Sequence, residues 1–443
     1  MPTSQLPARP APLTRRALLA AFGVLAVGAT GFLAGCSASA GPSGPAAQPA
    51  DPIKGSDLAR VAVALRAAPQ LGQVAAGMTA FATRLHAVAG AASTNFTVSP
   101  LSLAVAFGML RAGARGTTAS QLDAVFGFPA GASPEGSPHE ALNALTAALV
   151  SAAPQPATAG APAPVVAIAN GLFVAARFSP AVSAAFLNLL AQQYGAHPAA
   201  VDFTSPAAAD TINRWVRWAT RGQISRLFDQ IDPNTLLVLA DAVYLKATWA
   251  SQFPPATTTG AFTTSTGARV PAALMHQSLD QVRYTRTAQW QRITLPYVGA
   301  QLSMRLVLPT RTAADTASLT AAVATAMDRA DSDPVAWVDL TMPRWKTETD
   351  LDLLPVLAAL GLTDLGDLSG IAAGVGVSQA VHRATITVDE NGSQAAAVTG
   401  IAVASSGRVG SPAVMVVDRP FAWAVVHEPT RTPVFAGHVV NPS

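Results

Sequence analysis

Ser, His and Asp, the residue types of hydrolytic catalysis, occur throughout the 443 residues, yet no spacing among them assembles a catalytic apparatus. A nucleophile elbow needs Gly-x-Ser-x-Gly to hold a serine on a sharp strand-to-helix turn, and the chain has no such run. His139-Glu140 and His427-Glu428 begin a zinc-hydrolase motif, but neither is followed by the second His that would complete it. No glycine-rich loop ends in Gly-Lys, so phosphate cradling is not encoded either. The seven histidines are dispersed, which suits structural roles better than ligation. The single cysteine, Cys36, excludes a disulfide framework and any site built on paired cysteines. No cofactor and no metal is expected, and the chain does not read as an enzyme.

One stretch reads as chemistry of another kind: Val388-Asp389-Glu390-Asn391-Gly392-Ser393-Gln394-Ala395-Ala396-Ala397-Val398-Thr399. Gly392 supplies a pivot with free φ and ψ. The residues after it are small enough to slide between existing strands, and no Pro blocks the ladder. Side chains alternate along a strand, so Ser393, Ala395, Ala397, Thr399, Ile401 and Val403 share one face, and none is charged. The segment is a loop suited to becoming a strand, the working part of a conformational trap.

The elements around it must hold such a loop under tension. Before it lies Val381-His382-Arg383-Ala384-Thr385-Ile386-Thr387-Val388, a β-branched run with strand periodicity. After it come apolar runs at 414–426 and 433–440, interrupted by Pro420. Leu237 to Trp249 reads as a buried strand, with Phe253 beyond, and Ala169 to Val174 as another strand. Val74, Met78, Phe81, Leu85 and Val88 recur at steps of four and three, which predicts an amphipathic helix. Ser99 is placed to cap a helix with Pro100 at its first position and Gly113 at its end, and a second helix is expected after Thr117 and Thr118.

Half of the residues are hydrophobic and 12% are charged, which allows a large core. Net charge is +3, carried mostly by single arginines, and no basic run or aromatic-interleaved patch points to nucleic acid. At the N-terminus, Thr14-Arg15-Arg16, the apolar run from Ala17 to Phe32 and Leu33-Ala34-Gly35-Cys36 follow the order of an export signal. It resembles a bacterial lipoprotein signal, in which Cys36 becomes the lipidated first residue. The paired arginines leave Tat and Sec export both open, and a run of about sixteen apolar residues is short for a membrane span. Residues 1–35 are thus expected to be the signal and 36–55, rich in Ala, Gly, Ser and Pro, a tether. The folded body is expected over 56–443.

The C-terminal blocks resemble the serpins, the family of serine protease inhibitors, and so do ordered blocks along the body. Asn95, Ser99-Pro100-Leu101-Ser102, Met109 and Gly113-Ala114-Arg115-Gly116-Thr117 match the N-terminal signature of that family. Val201-Asp202-Phe203, Ile212 to Val216, Thr220 to Ile224, Leu295-Pro296-Tyr297, Met342-Pro343-Arg344-Trp345, Leu360-Gly361-Leu362 and Asp367 to Ile371 continue the match in order.

The resemblance implies an α+β serpin fold: three β-sheets, about eight or nine helices, and an exposed reactive-centre loop over about 390–413. It implies a hinge at Glu390, Gly392, Ser393, Gln394, Ala395, Ala396 and Ala397, whose small face is buried on insertion and favours an inhibitory member. It implies a polar cluster beneath the opening strands at Ser99, Ser102, Asp241 and His382. Asp241 departs from the family's usual Asn; a carboxylate cannot donate unless protonated, so this network is wired differently or responds to pH. Counting from Gly392 puts the reactive bond at Ser406-Gly407, suited to elastase- or subtilisin-like proteases. Counting back from Pro420 puts it near Val409, and Arg408 between them would suit a trypsin-like protease. The implied partner is a serine protease, trapped as an acyl-enzyme when the cleaved loop inserts. A monomer is implied, touching the membrane only through lipid on Cys36, as is a location on the outer face of the cytoplasmic membrane or outside the cell. A non-inhibitory binding role and inhibition of cysteine proteases are the alternatives.

Overall fold

The computed structural model describes residues 50, 52–53, 56–129, 138–151, 165–255, 257–312, 315–330, 332–393 and 411–443. The first half of the chain runs α1 (Leu71–Ala89), β1 (Phe96–Val98), α2 (Pro100–Gly113), α3 (Gly116–Phe126), α4 (Pro138–Ser151), β2 (Val165–Ala175), α5 (Ala184–Tyr194), β3 (Ala199–Val201), α6 (Ala208–Ala219) and β4 (Leu237–Thr248). The second half begins with β5 (Thr258–Thr263), β6 (Arg269–Arg286), β7 (Trp290–Pro296), β8 (Leu302–Pro309), α7 (Thr316–Met327), β9 (Val335–Pro343) and β10 (Trp345–Asp352). It ends with α8 (Leu353–Ala359), β11 (Gln379–Asp389), β12 (Gly392–Ser393), β13 (Ala413–Val416), β14 (Phe421–His427) and β15 (Thr432–Val439). Among the described residues these are eight α-helices, within the range expected; two short 3₁₀ segments add to them.

Six strands form one sheet in the order β10-β11-β12-β4-β2-β3, and the other nine form a second. The three sheets expected are joined into two hydrogen-bonded networks because β6, 18 residues long, runs through two of them. Its register against β9 shifts between Leu279 and Val282, with Gln281 at φ 58°, a bulge that turns the strand from one layer toward the next.

The strands of the six-stranded sheet follow their sequence patterns. Along β11, Ala380, His382, Ala384, Ile386 and Val388 are buried and the residues between them are half-buried, the alternation of a strand with one face on the core. β4 is buried on both faces: Leu237, Leu239, Val243 and Leu245 enter the main core, whereas Val238, Ala240 and Ala242 lie in a second cluster with Ile212, Trp215 and Val216 of α6. That double cover explains its unbroken apolar run.

Local signals in the sequence set several helix ends. The Ser99 hydroxyl accepts from the Ser102 amide, and Pro100 occupies the first turn of α2. Gly113 closes α2 for a packing reason, since a Cβ there would lie 2.2 Å from Ile371 Cγ1. α3 starts at Gly116, with φ 50°, slightly before the expected threonines. In α1 the expected stripe is buried except Val88, which is 48% exposed; the last turn instead buries His86 against His438. Ahead of the expected boundary at Ser56, Ala50 and Ile53 are buried, and the Ile53 amide donates to Pro198 O at 2.7 Å beside the edge strand β3. No helix among the described residues is long and apolar enough to cross a membrane.

Candidate functional site: the hinge and the strand junction beneath it

β4 and β11 are parallel neighbours from Val238 and Gln379 up to Tyr244 and Thr385. Beyond that rung they part, and β12 stands between them. Gly392 and Ser393 pair with Asp389 and Val388 on one side and with Thr248 and Ala247 on the other. The first residues of the tract are thus already a strand of the sheet.

Each residue of the hinge has a physical reason for its place. Asp389 Oδ1 accepts from the amides of Asn391 and Gly392 at 2.8 and 3.2 Å, which folds the chain back on itself. Gly392 has φ 151°, and a Cβ there would lie 2.0 Å from Ala247 O, so only glycine fits. Ser393 is fully buried, with its Oγ 2.6 Å from the Tyr297 hydroxyl, and burial raises the tyrosine pKa so that the bond stays between neutral groups. Tyr297 stacks on Trp249 at 4.6 Å, and Trp249 Nε1 donates to Asp389 O at 2.9 Å. Glu390 is 5% exposed; its carboxylate accepts from the Arg344 guanidinium and the Thr257 hydroxyl. Burial opposes its charge, but those bonds outweigh it and hold the carboxyl below its ordinary range.

The four residues of the predicted polar cluster are brought together directly below. His382 and Asp241 face each other across β11 and β4, both fully buried, with His382 Nδ1 bonded to Asp241 Oδ1. The Ser99 amide donates to His382 Nε2 at 3.3 Å, which assigns the ring proton to Nδ1 and makes Asp241 the acceptor. Asp241 Oδ2 accepts from the Ser102 hydroxyl. Ser99 Oγ donates to Val434 O at 2.6 Å, tying this cluster to the nine-stranded sheet. The departure from Asn is therefore absorbed by a network in which Asp241 only accepts. Asn170 joins it from β2, donating to Ser102 O at 3.2 Å.

Sequence reasoning missed the partners of the hinge: Arg344, Thr257, Tyr297 and Trp249. Arg344, Tyr297 and Trp249 lie in blocks that carried the resemblance, but nothing local in those blocks announces a contact with residues 390–393. Gln394, Ala395, Ala396, Ala397, Ser406, Gly407, Arg408, Val409 and Cys36 lie outside the described residues.

The fold and this junction define a class of mixed α+β proteins in which a short strand, β12, stands between β4 and β11 where their parallel pairing ends. Comparison with known proteins gives that class a name. The family model Serpin (serine protease inhibitor) matches residues 76–442, and the chain belongs to this family. Neuroserpin from Homo sapiens is 32% identical over 368 residues, 79% of this chain and 86% of that protein. Serine protease inhibitor 42Dd from Drosophila melanogaster is 31% identical over 360 residues, 79% of this chain and 91% of that protein. The solved structure of Serpin48 from the insect Tenebrio molitor superposes with a TM-score of 0.73 at 26% identity, over 84% of this chain and 98% of that one.

Proposed function

We propose that the protein is a suicide-substrate inhibitor of serine proteases. The observation that carries this reading is β12: Gly392 and Ser393 already pair with both β11 and β4, at the mouth of the junction that further strand residues would have to enter. In this reading a protease attacks the loop beyond Ser393 as substrate and forms an acyl-enzyme through its own serine. Ala395, Ala397 and Thr399 then follow Ser393 into the sheet, each small and uncharged on the inward face. The protease is carried with the loop before water can release it. This chain supplies bait and stored strain, and no catalytic group.

The reactive bond in this proposal is Ser406-Gly407, counted from Gly392, with cleavage at Arg408 or near Val409 as the competing position. Elastase- and subtilisin-like proteases fit the first and trypsin-like proteases the second. Export and lipidation at Cys36, with residues 36–55 as the tether, would place the body outside the cytoplasmic membrane. Mixing the protein with proteases of the three classes should give an SDS-resistant complex, and mass spectrometry of the released C-terminal peptide should identify the bond. Cleavage across the panel without a covalent complex would assign the protein to the non-inhibitory members of the family.

A further inference from the structure

Helix α6 presents two unlike faces. Ile212, Trp215 and Val216 pack into the cluster over β2 and β4, whereas Arg214, Arg217 and Trp218, with Arg221 just past the helix end, form an exposed row at steps of three, one and three. Trp218 is 42% exposed, one of the few large hydrophobic side chains left at the surface. Arg214 donates to Thr211 Oγ1 at 3.2 Å, and among the described residues no carboxylate lies within ion-pair distance of Arg214, Arg217 or Arg221. Asp210 stands at the start of the helix; the next carboxylate along the chain, Asp229, is taken up by Arg226 at 2.8 Å.

We propose that this row is a docking face for an anionic phospholipid surface. Arginine pairs with phosphate headgroups and can lay its apolar stem along the interface. Tryptophan is the side chain that settles at the headgroup level. The anchoring reading selects the occupant. Ala50, the first described residue, is buried in the same cluster as Ile212, Trp215 and Val216 of α6. The fifteen residues from Cys36 to Ala50 can span at most about 50 Å at full extension, so in the anchoring reading a lipid on Cys36 would keep a bilayer within reach of the folded body. The proposal takes its membrane from the anchoring reading, but the face is tested without it.

Full-length chain produced without lipidation is mixed with equimolar phosphatidylglycerol and phosphatidylcholine vesicles, and separately with phosphatidylcholine alone. Preferential co-sedimentation with the anionic vesicles is expected. Each of Arg214→Gln, Arg217→Gln and Arg221→Gln should weaken it about fivefold, and the triple variant about a hundredfold. Brominated phosphatidylglycerol should quench tryptophan emission in the parent, and less so in Trp218→Phe. These side chains are exposed, so unchanged thermal unfolding would certify the fold of each variant. Equal binding of parent and triple variant, or binding to a sulfated polysaccharide but not to the anionic vesicles, overturns the proposal. Palmitate labelling of parent and Cys36→Ser tests the anchor separately, so either idea can fail alone.

Discussion

The two sheets of this molecule are built on opposite terms. In the nine-stranded sheet, β14 and β15 are buried along their whole length and paired antiparallel from Phe421 to His427 against Thr432 to Val439. Charges within that sheet are closed off in pairs: Arg292 with Asp333 at 2.8 Å and Arg305 with Glu428 at 2.9 Å. In the six-stranded sheet the β4–β11 junction is in parallel register, crossed by a fully buried His–Asp contact, and that pairing stops at Thr385 and Tyr244. β14 and β15 form a closed core, whereas in the other sheet Gly392 and Ser393 stand between β11 and β4 beyond the end of their pairing.

The sharpest way to break this contrast is at Ser393. Ser393→Arg would place a cation at a fully buried position facing Tyr297, and an unpaired charge cannot follow the strand into the sheet. SDS-stable complex should disappear and cleaved inhibitor should accumulate; undiminished complex would show that the loop does not insert here. In the closed sheet, Phe435→Ala removes a ring with no exposed surface and should cost about 3–5 kcal/mol of stability. The folded fraction should still trap protease in the parent ratio, read by titration after denaturant melts.

Acid probes the same division. His86, His139 and His427 are buried, and burial lowers their pKa values to about 3, 4 and 4 from the ordinary 6.5. The unfolded chain takes up these protons first, so their contribution is complete above pH 6.5 and is lost as pH falls toward 4. At pH 5 each group should account for about 2 kcal/mol of lost stability, visible as a falling Tm. His86→Gln and His427→Gln should flatten that slope. The smallest effect is expected at the latch: Arg344 is half exposed, and Arg344→Met should cost about 1 kcal/mol or less. Its signature is faster hydrogen exchange at the amides of Gly392 and Ser393, with β14 unchanged.

Much of this was legible in the chain. The cap formed by Ser99 and Pro100 and the alternation along β11 are local, because each depends on a few adjacent residues and the backbone they permit, whereas glycine at 392 is required by Ala247 of a distant strand. The predicted cluster of Ser99, Ser102, Asp241 and His382 was legible only through the resemblance, since nothing within any one segment brings four distant positions together. Val88 shows where periodicity overreached: the pattern continues one turn past the point at which the core ends. The arginines of α6 were read as scattered, which is correct along the chain and misleading in space, because the helix sets Arg214 and Arg217 one turn apart and Arg221 follows just past its end.

The sequence alone determined that residues 392–403 are suited to a strand, since small or apolar side chains, the lack of charge and the absence of Pro are properties of the segment itself. It also determined that no catalytic motif stands beside them. Only the tertiary structure decided that Gly392 and Ser393 stand as a strand between β11 and β4. That depends on where β4 and β11 cease to pair and on Tyr297, Trp249, Thr257 and Arg344, which reach the hinge from distant elements. Contacts between segments far apart in sequence are set by packing, and packing is a property of the whole fold.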